Sequence, residues 1–367
     1  RPAAGAARAD AANASGLAGS FRPRGAERLV AALPGLHLPS GHTPPTMATA
    51  YVKVSGDDEP ERELFYWFVE SAGDPDTDPL LLWTNGGPGC SGLSGFLTEM
   101  GPFRPEVGGR GLVPNPHAWT NFANMIFIEQ PAGVGFSVIE EQDAYNYTDA
   151  KAAADMWTLV KKFVALHPQF KSRPFYLTAE SYGGHYLPTT ALHIVKHNQG
   201  EVNFQGFAVG NPLSYDVYNN YGQFEKWYNF GLLPRPKYDE FMARQCYKMD
   251  TAEERDVPEE YVDYCNDQTE AWFRQLFPGV EKIANRSDPG YDPYALSFDV
   301  CTREDLAKAE LSWRPFGKKL AGVLAQSQYK PCAGNPINHN YGSEYLNRED
   351  VQAAIHVTGR PRWHECS

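Results

Sequence analysis

Short apolar runs bounded by turn residues alternate along the chain with longer stretches in which apolar positions recur every three or four residues. Residues 50–54 and 63–70 are rich in Tyr, Val, Phe and Trp. They are followed by Gly56-Asp57-Asp58 and Gly73-Asp74-Pro75, so they predict two strands joined as a hairpin. Residues 79–83 and 124–128 are apolar runs of the buried-strand type; the first leads into Asn85-Gly86-Gly87-Pro88-Gly89, the second into Pro131-Ala132-Gly133. Over 149–167 the period changes. Ala153, Met156, Trp157, Val160 and Val164 share one helical face, and Pro168 ends the helix. Residues 175–177 and 204–209 predict further strands, and 184–197 a second helix. Strands alternating with helices predict a parallel or mixed α/β sheet.

The pattern fails at both margins of this region. Residues 1–27 are Ala-, Gly- and Arg-rich and read as a flexible or propeptide-like lead, and the Pro-containing stretch 30–45 as extended surface, with order beginning near Thr46. Residues 212–335 are Tyr- and charge-rich, helical in patches, and read as an insertion over the sheet. The expected division is a lead over 1–45, a core with the chemistry over 46–211, the insertion over 212–335, and a return to the core over 336–367. The longest apolar run covers residues 64–69, far short of the ~18 residues that span a membrane.

Composition narrows the class. With 42% hydrophobic and 21% charged residues among 367, the chain is globular rather than disordered, and long enough for two domains or one α/β domain with an insertion. Its net charge of −12 argues against a nucleic-acid partner, which would need Lys and Arg to neutralise phosphates. The six cysteines, Cys90, Cys246, Cys265, Cys301, Cys332 and Cys366, form no C-x-x-C, so no metal is expected. Their even number fits up to three disulfides, with free buried thiols as the alternative. Glycosylation sequons stand at Asn13, Asn146 and Asn285. The sequence begins at Arg1 without an apolar signal core, so any signal peptide is expected to lie outside it.

One segment carries nucleophile chemistry. Phe175-Tyr176-Leu177-Thr178-Ala179-Glu180-Ser181-Tyr182-Gly183-Gly184 runs from an apolar strand through Ser-x-Gly into a helix, the context of a nucleophile elbow. Ala179 occupies the position of the usual first glycine. Taken alone, the match also fits a serine that merely caps the helix. The glycine-rich loop after the strand at 79–83 lets backbone N–H groups approach an anionic centre, and it lacks the G-K-[S/T] ending of a phosphate loop.

Four blocks extend the pattern: Trp83-Thr84-Asn85-Gly86-Gly87-Pro88-Gly89-Cys90-Ser91, Glu129-Gln130-Pro131-Ala132-Gly133-Val134-Gly135-Phe136-Ser137, Ala179-Glu180-Ser181-Tyr182-Gly183-Gly184-His185-Tyr186, and Tyr345-Leu346-Asn347-Arg348-Glu349-Asp350-Val351-Gln352. In order and spacing the chain from about residue 48 onward resembles the serine carboxypeptidases, α/β-hydrolases that include plant and yeast vacuolar carboxypeptidases and lysosomal cathepsin A. The resemblance implies a central mixed sheet flanked by helices, with a helical cap. It implies Ser181 as acyl-forming nucleophile and the Gly87 and Tyr182 N–H groups as oxyanion hole. It also implies that Asn85, Glu99 and Glu180, with the Gly86 N–H, hold the C-terminal carboxylate of a peptide substrate. No cofactor is implied. The implied bridges are Cys90–Cys366, Cys246–Cys265 and Cys301–Cys332; the implied setting is the secretory pathway, in a vacuole, lysosome or outside the cell, with glycans at Asn146 and Asn285. Two carboxyls side by side cannot both ionise cheaply, so one keeps a proton and can donate to the substrate carboxylate. Peptidase activity strongest at acidic pH is therefore expected, with substrate binding as the step that carries the dependence.

His185 lies one helical turn past Ser181 and reads as packing, as do Trp83 and Trp119; His356 and His364 are weak candidates for chemistry. In the fold resembled, the triad follows the order Ser, Asp, His. After Ser181 the sequence has neither a Ser-Gly-Asp nor a Gly-x-Gly-His context, and Ser55-Gly56-Asp57 precedes the nucleophile. The last strands of the sheet and the triad's Asp and His are expected to be missing. A fragment, one chain of a two-chain enzyme whose second chain carries the Asp and His, or an inactive homologue would each explain this. On that reading the chain alone is inactive. A related acyltransferase and a non-catalytic scaffold are the functional alternatives to the peptidase.

Overall fold

The computed structural model describes residues 21–140, 147–249, 254–276 and 341–366. It divides into two compact units, residues 1–213 with 341–367, and residues 214–340. In the first, strands β1 (Arg28–Leu29), β2 (Met47–Lys53), β3 (Arg62–Val69) and β4 (Leu80–Thr84) lead to helix α1 (Gly92–Thr98). The short strands β5 (Phe103–Pro105) and β6 (Leu112–Pro114) follow, then β7 (Asn124–Ile128), β8 (Val138–Ile139) and helix α2 (Asp149–Leu166). Strand β9 (Pro174–Glu180), helix α3 (Gly183–His197) and strand β10 (Asn203–Gly210) complete this stretch. The second unit holds α4 (Asp216–Asn229), α5 (Arg235–Ala243) and α6 (Glu259–Leu276), and the chain re-enters the first with α7 (Tyr341–Leu346) and α8 (Glu349–Ala354).

The sheet is mixed, in the order β1-β2-β3-β7-β4-β9-β10, with β8 paired to β3. The hairpin is antiparallel, as is β3 with β7, whereas β7, β4, β9 and β10 run parallel. Its two faces follow from the period of two in β3. Leu64, Tyr66 and Phe68 face α2 and α3 through Met156, Trp157, Val160, Phe163 and Leu187. Phe65, Trp67 and Val69 face the other way, toward Leu93, Phe96 and Leu97 of α1 and Tyr345, Leu346 and Val351 of the returning segment. Both faces are covered, which is why these strands read as unbroken apolar runs.

The structure corrects the N-terminal reading from Phe21 onward. Phe21 is buried, its ring stacked on Phe68 at 4.3 Å, and its N–H donates to Glu70 Oε1 at 2.7 Å. The buried Glu27 carboxylate meets His167 Nε2 at 2.8 Å and accepts from the Tyr66 hydroxyl. Arg28–Leu29 pair with β2, and Val30 and Leu33 join the core. A buried polar group needs its partner, and Glu27 and His167 supply one another across the chain. The second sequence difference is α1, which the apolar pattern does not announce. It forms because Gly92 and Gly95 let it lie directly on the sheet: a Cβ at Gly92 would stand 2.2 Å from the Ile128 carbonyl oxygen.

The second unit packs Phe224, Trp227, Leu233 and Phe241 around the Cys246–Cys265 disulfide. Cys301 and Cys332, and the sequons at Asn13, Asn146 and Asn285, lie outside the described residues. No described helix is long and apolar enough to cross a membrane.

Candidate active site

Strands β4 and β9 are parallel neighbours in a register that sets Trp83 opposite Thr178 and Thr84 opposite Ala179. Both chains therefore leave the carboxyl edge of the sheet side by side, the place where open α/β sheets bind ligands. Asn85-Gly86-Gly87 emerges from one strand and Glu180-Ser181-Tyr182 from the other. The two backbones touch. A Cβ on Gly86 would stand 2.4 Å from the Tyr182 nitrogen, 2.8 Å from the Glu180 carbonyl oxygen and 2.9 Å from Ser181 Cβ.

Ser181 has a φ of 55°, in the left-handed region that a residue with a side chain occupies only when its surroundings hold it there. Its N–H donates to Gly210 O at 3.0 Å; its carbonyl accepts from Gly184 N at 3.0 Å and Leu213 N at 2.8 Å. These bonds form the strand-to-helix elbow and carry the serine to the edge of the sheet, partly exposed. A Cβ on Gly183 would lie 2.3 Å from Ala179 Cβ. The elbow thus accepts Ala179 in place of a glycine because Gly183 leaves the room.

Asn85 organises the neighbouring carboxyls. Its Oδ1 accepts from Trp83 Nε1 and from Gly95 N, both at 2.9 Å, which fixes the amide so that Nδ2 points outward. Nδ2 donates to Glu99 Oε1 at 2.8 Å and Glu180 Oε1 at 3.1 Å; Glu180 Oε1 also accepts from Gly86 N at 3.1 Å. Glu99 is exposed as a residue, but its carboxyl is drawn inward onto the buried Asn85. That burial, with the Glu180 charge beside it, pushes Glu99 up to about 7, against the lowering influence of Asn85 and Arg104. A carboxyl poised there is neutral in acid and can donate a hydrogen bond.

The glycine loop is tied from behind. Gly87, with φ 108°, precedes Pro88; Gly89 N donates to the Tyr186 hydroxyl at 3.3 Å, and Ser91 caps α1 by accepting from Leu93 N at 3.1 Å. Cys90 is joined to Cys366, and Ser91 N donates to Glu365 O at 2.7 Å. Beneath them lies Glu129, fully buried. Its carboxyl accepts from Ser91 Oγ and Phe136 N at 2.6 Å and from Trp363 Nε1 at 2.5 Å, and burial pushes it up to about 7. Neither Glu129 nor Trp363 stands out as part of this assembly in the sequence; a Glu in a Gly- and Pro-rich block is the one available signal.

The structure thus brings Asn85, Gly86, Gly87, Glu99, Glu180, Ser181 and Tyr182 together. His185 and His356 do not join them. His185 packs its ring against Tyr182 at 4.7 Å, and the His356 ring bonds to Leu29 O at 2.9 Å. Among the described residues no histidine hydrogen-bonds to Ser181, and no cluster of His, Cys, Asp and Glu is placed to hold a metal.

A strand–serine–helix elbow at the carboxyl edge of a mixed sheet covered by helices on both faces defines an α/β-hydrolase. The family described as serine carboxypeptidase matches residues 34–367, and the chain belongs to that family. It is 33% identical over 333 residues to serine carboxypeptidase-like 33 of Arabidopsis thaliana, covering 87% of this chain and 64% of the relative. It is 34% identical over 316 residues to P-(S)-hydroxymandelonitrile lyase of Sorghum bicolor, covering 85% of this chain and 56% of that protein. It therefore spans less than two thirds of the length of either relative. Among solved structures it resembles a prohormone-processing carboxypeptidase of Saccharomyces cerevisiae, with a TM-score of 0.59 at 20% identity, over 91% of this chain and 69% of that one, which is a likeness of fold.

Proposed function

We propose that the protein to which this chain belongs is a serine-type carboxypeptidase that releases C-terminal residues from peptides through an acyl-enzyme at Ser181. The observation that carries this reading is the pairing of Glu99 and Glu180 on one Asn85 amide, next to the elbow serine. Ser181 Oγ attacks the last peptide carbonyl. The Tyr182 and Gly87 N–H groups take up the charge developing on its oxygen, the amino acid leaves, and water releases the acyl group. Protonated Glu99 donates to the substrate's terminal carboxylate, helped by Asn85 and Gly86. This selects a free C-terminus over an amidated one.

The sign of the pH dependence follows. Below about 7 Glu99 holds its proton and binds a carboxylate; above it, two negative groups face each other. Affinity for a peptide with a free C-terminus should fall at least tenfold between pH 5 and 8, while affinity for its amide stays level. Titration calorimetry of both peptides checks this, and a flat profile for the free acid would refute the reading.

Attack by Ser181 also needs a base, and the described residues offer none. Because the sequence after Ser181 has no Ser-Gly-Asp or Gly-x-Gly-His context, our reading places the base and its orienting Asp on residues beyond these 367, on the same polypeptide or on a second one. The 367-residue chain alone should then react slowly with a fluorophosphonate, and rapid labelling of Ser181, read by mass spectrometry, would contradict the assignment. The lyase among its relatives shows that this scaffold also serves other chemistry. The paired carboxyls favour the peptidase here over an acyltransferase. The two disulfides among the described residues support a secretory setting, vacuolar, lysosomal or extracellular, with glycans at Asn146 and Asn285.

A further inference from the structure

Glu99 is a demanding residue to hold in place. It follows a helix of only seven residues, and its backbone, at φ −117° and ψ −89°, is neither helical nor extended. The N–H groups of Glu99, Met100 and Gly101 all converge on one acceptor, Gly95 O, at 3.1, 3.1 and 3.3 Å. The carbonyls at this helix end consequently need donors from elsewhere. Arg104 and Asn115 supply them. Arg104 Nη1 donates to Thr98 O and its Nη2 to Glu99 O at 2.6 Å. Asn115 Nδ2 donates to Glu99 O at 3.3 Å and Gly101 O at 2.9 Å.

Both donors are anchored by the β5–β6 hairpin. Arg104 pairs with Val113 across it. Asn115, directly after β6, gives its N–H to Pro102 O at 2.8 Å, and its Oδ1 accepts from His117 N at 3.1 Å, which fixes its amide. A guanidinium fork and a primary amide therefore close on the same peptide from one small hairpin, and the side chain leaving that peptide is the Glu99 carboxyl.

We propose that Arg104 and Asn115 are positioning residues for recognition of the substrate's C-terminal carboxylate, acting as a clamp that holds the Glu99 peptide so that its carboxyl reaches Asn85. The proposal rests on the carboxylate-site reading above. The two residues differ in one respect. The groups that face Glu99 are Asn85 from the loop after β4, Glu180 from the end of β9, Arg104 from β5 and Glu365 near Cys366. Arg104 is the cation among them, so it opposes retention of the proton, while Asn115 is neutral and clamps without charge.

The test is calorimetry on the full chain carrying Ser181→Ala, with an N-acyl dipeptide bearing a free C-terminus and with its amide, from pH 5 to 9. Thermal unfolding of each variant gives the folded fraction. Arg104→Met should weaken acid binding about tenfold at pH 5 and move the pH midpoint upward by about one pH unit. Arg104→Lys keeps the charge but loses the fork, so it should weaken binding with the midpoint unmoved. Asn115→Ala should do the same. Binding of the amide should change in none of them. Variants that lose only thermal stability, while their folded fraction binds the acid with the parent's affinity and midpoint, would overturn the clamp. A parent that does not distinguish acid from amide would overturn the carboxylate site itself, and the clamp with it.

Discussion

Replacing Gly86 by alanine should cost about 3 kcal/mol of stability and lower acyl transfer at Ser181 by about a hundredfold or more. The contacts explain why. The added methyl would meet the Tyr182 nitrogen, the Glu180 carbonyl oxygen and Ser181 Cβ, all inside 3 Å. Two of the three are backbone atoms of the elbow, flanking Ser181, whose own N–H and carbonyl are bonded to Gly210, Gly184 and Leu213, and no side-chain rotation can relieve them. The strands must move apart, carrying the Gly87 and Tyr182 N–H groups away from each other. In the proposed reaction these two groups stabilise the oxyanion, and such stabilisation depends on donor placement to within about a few tenths of an ångström. Gly222→Ala is the control: nothing lies within 4 Å of its Cβ, it sits inside α4, and it should leave stability unchanged or raise it by up to about 1 kcal/mol. Denaturant unfolding of the two variants, with acyl-transfer rates in the complete enzyme, measures both effects. A Gly86→Ala protein as stable and active as the parent would mean that the two loops do not meet.

The same contacts show what the sequence could reveal. The strands were legible because β3, β4 and β7 are apolar on both faces, and α2 because Met156, Trp157, Val160 and Val164 repeat at helical spacing. Helix α1 was not. Its sequence, Gly-Leu-Ser-Gly-Phe-Leu-Thr, is poor in helix formers, and the glycines that weaken it locally are those that let it rest against Ile128 and Trp83. Phe21 was equally hidden. A lone aromatic in an Ala- and Gly-rich lead gains a place in the core only through Phe68, Glu70 and the Glu27–His167 pair, whose members stand 140 positions apart. At the site, Asn85, Gly86, Glu180 and Ser181 lie in two compact motifs, and the register of β4 against β9 brings those motifs together. Arg104, Asn115 and Glu129 act on groups distant in sequence or through backbone carbonyls, which carry no sequence signature of their own.

Glu129→Ala should destabilise the protein by about 4 kcal/mol, near the top of the range for single substitutions. The carboxyl is the acceptor for Ser91 Oγ, Phe136 N and Trp363 Nε1 in a site closed to water. Removing it leaves three buried donors unpaired, at about 1–3 kcal/mol each less what relaxation recovers, and opens a cavity. The loss should also propagate along the chain: Ser91 caps α1 beside Cys90, and Trp363 lies just before Cys366. A second signature separates lost packing from lost charge. Burial raises Glu129 in the folded protein to about 7 from an ordinary value of 4.5. A carboxyl raised on folding contributes stability that is complete below its unfolded value and is lost as pH climbs to the folded one. The parent should therefore lose up to about 3 kcal/mol from this group between pH 4.5 and 7. Glu99 adds to the slope in the same direction. Glu129→Gln, neutral throughout, should flatten that slope to the part owed to Glu99, whatever its absolute stability. Urea unfolding at pH 5 and pH 8 decides it: a Gln variant with the parent's full pH slope would show that Glu129 does not change protonation within the fold.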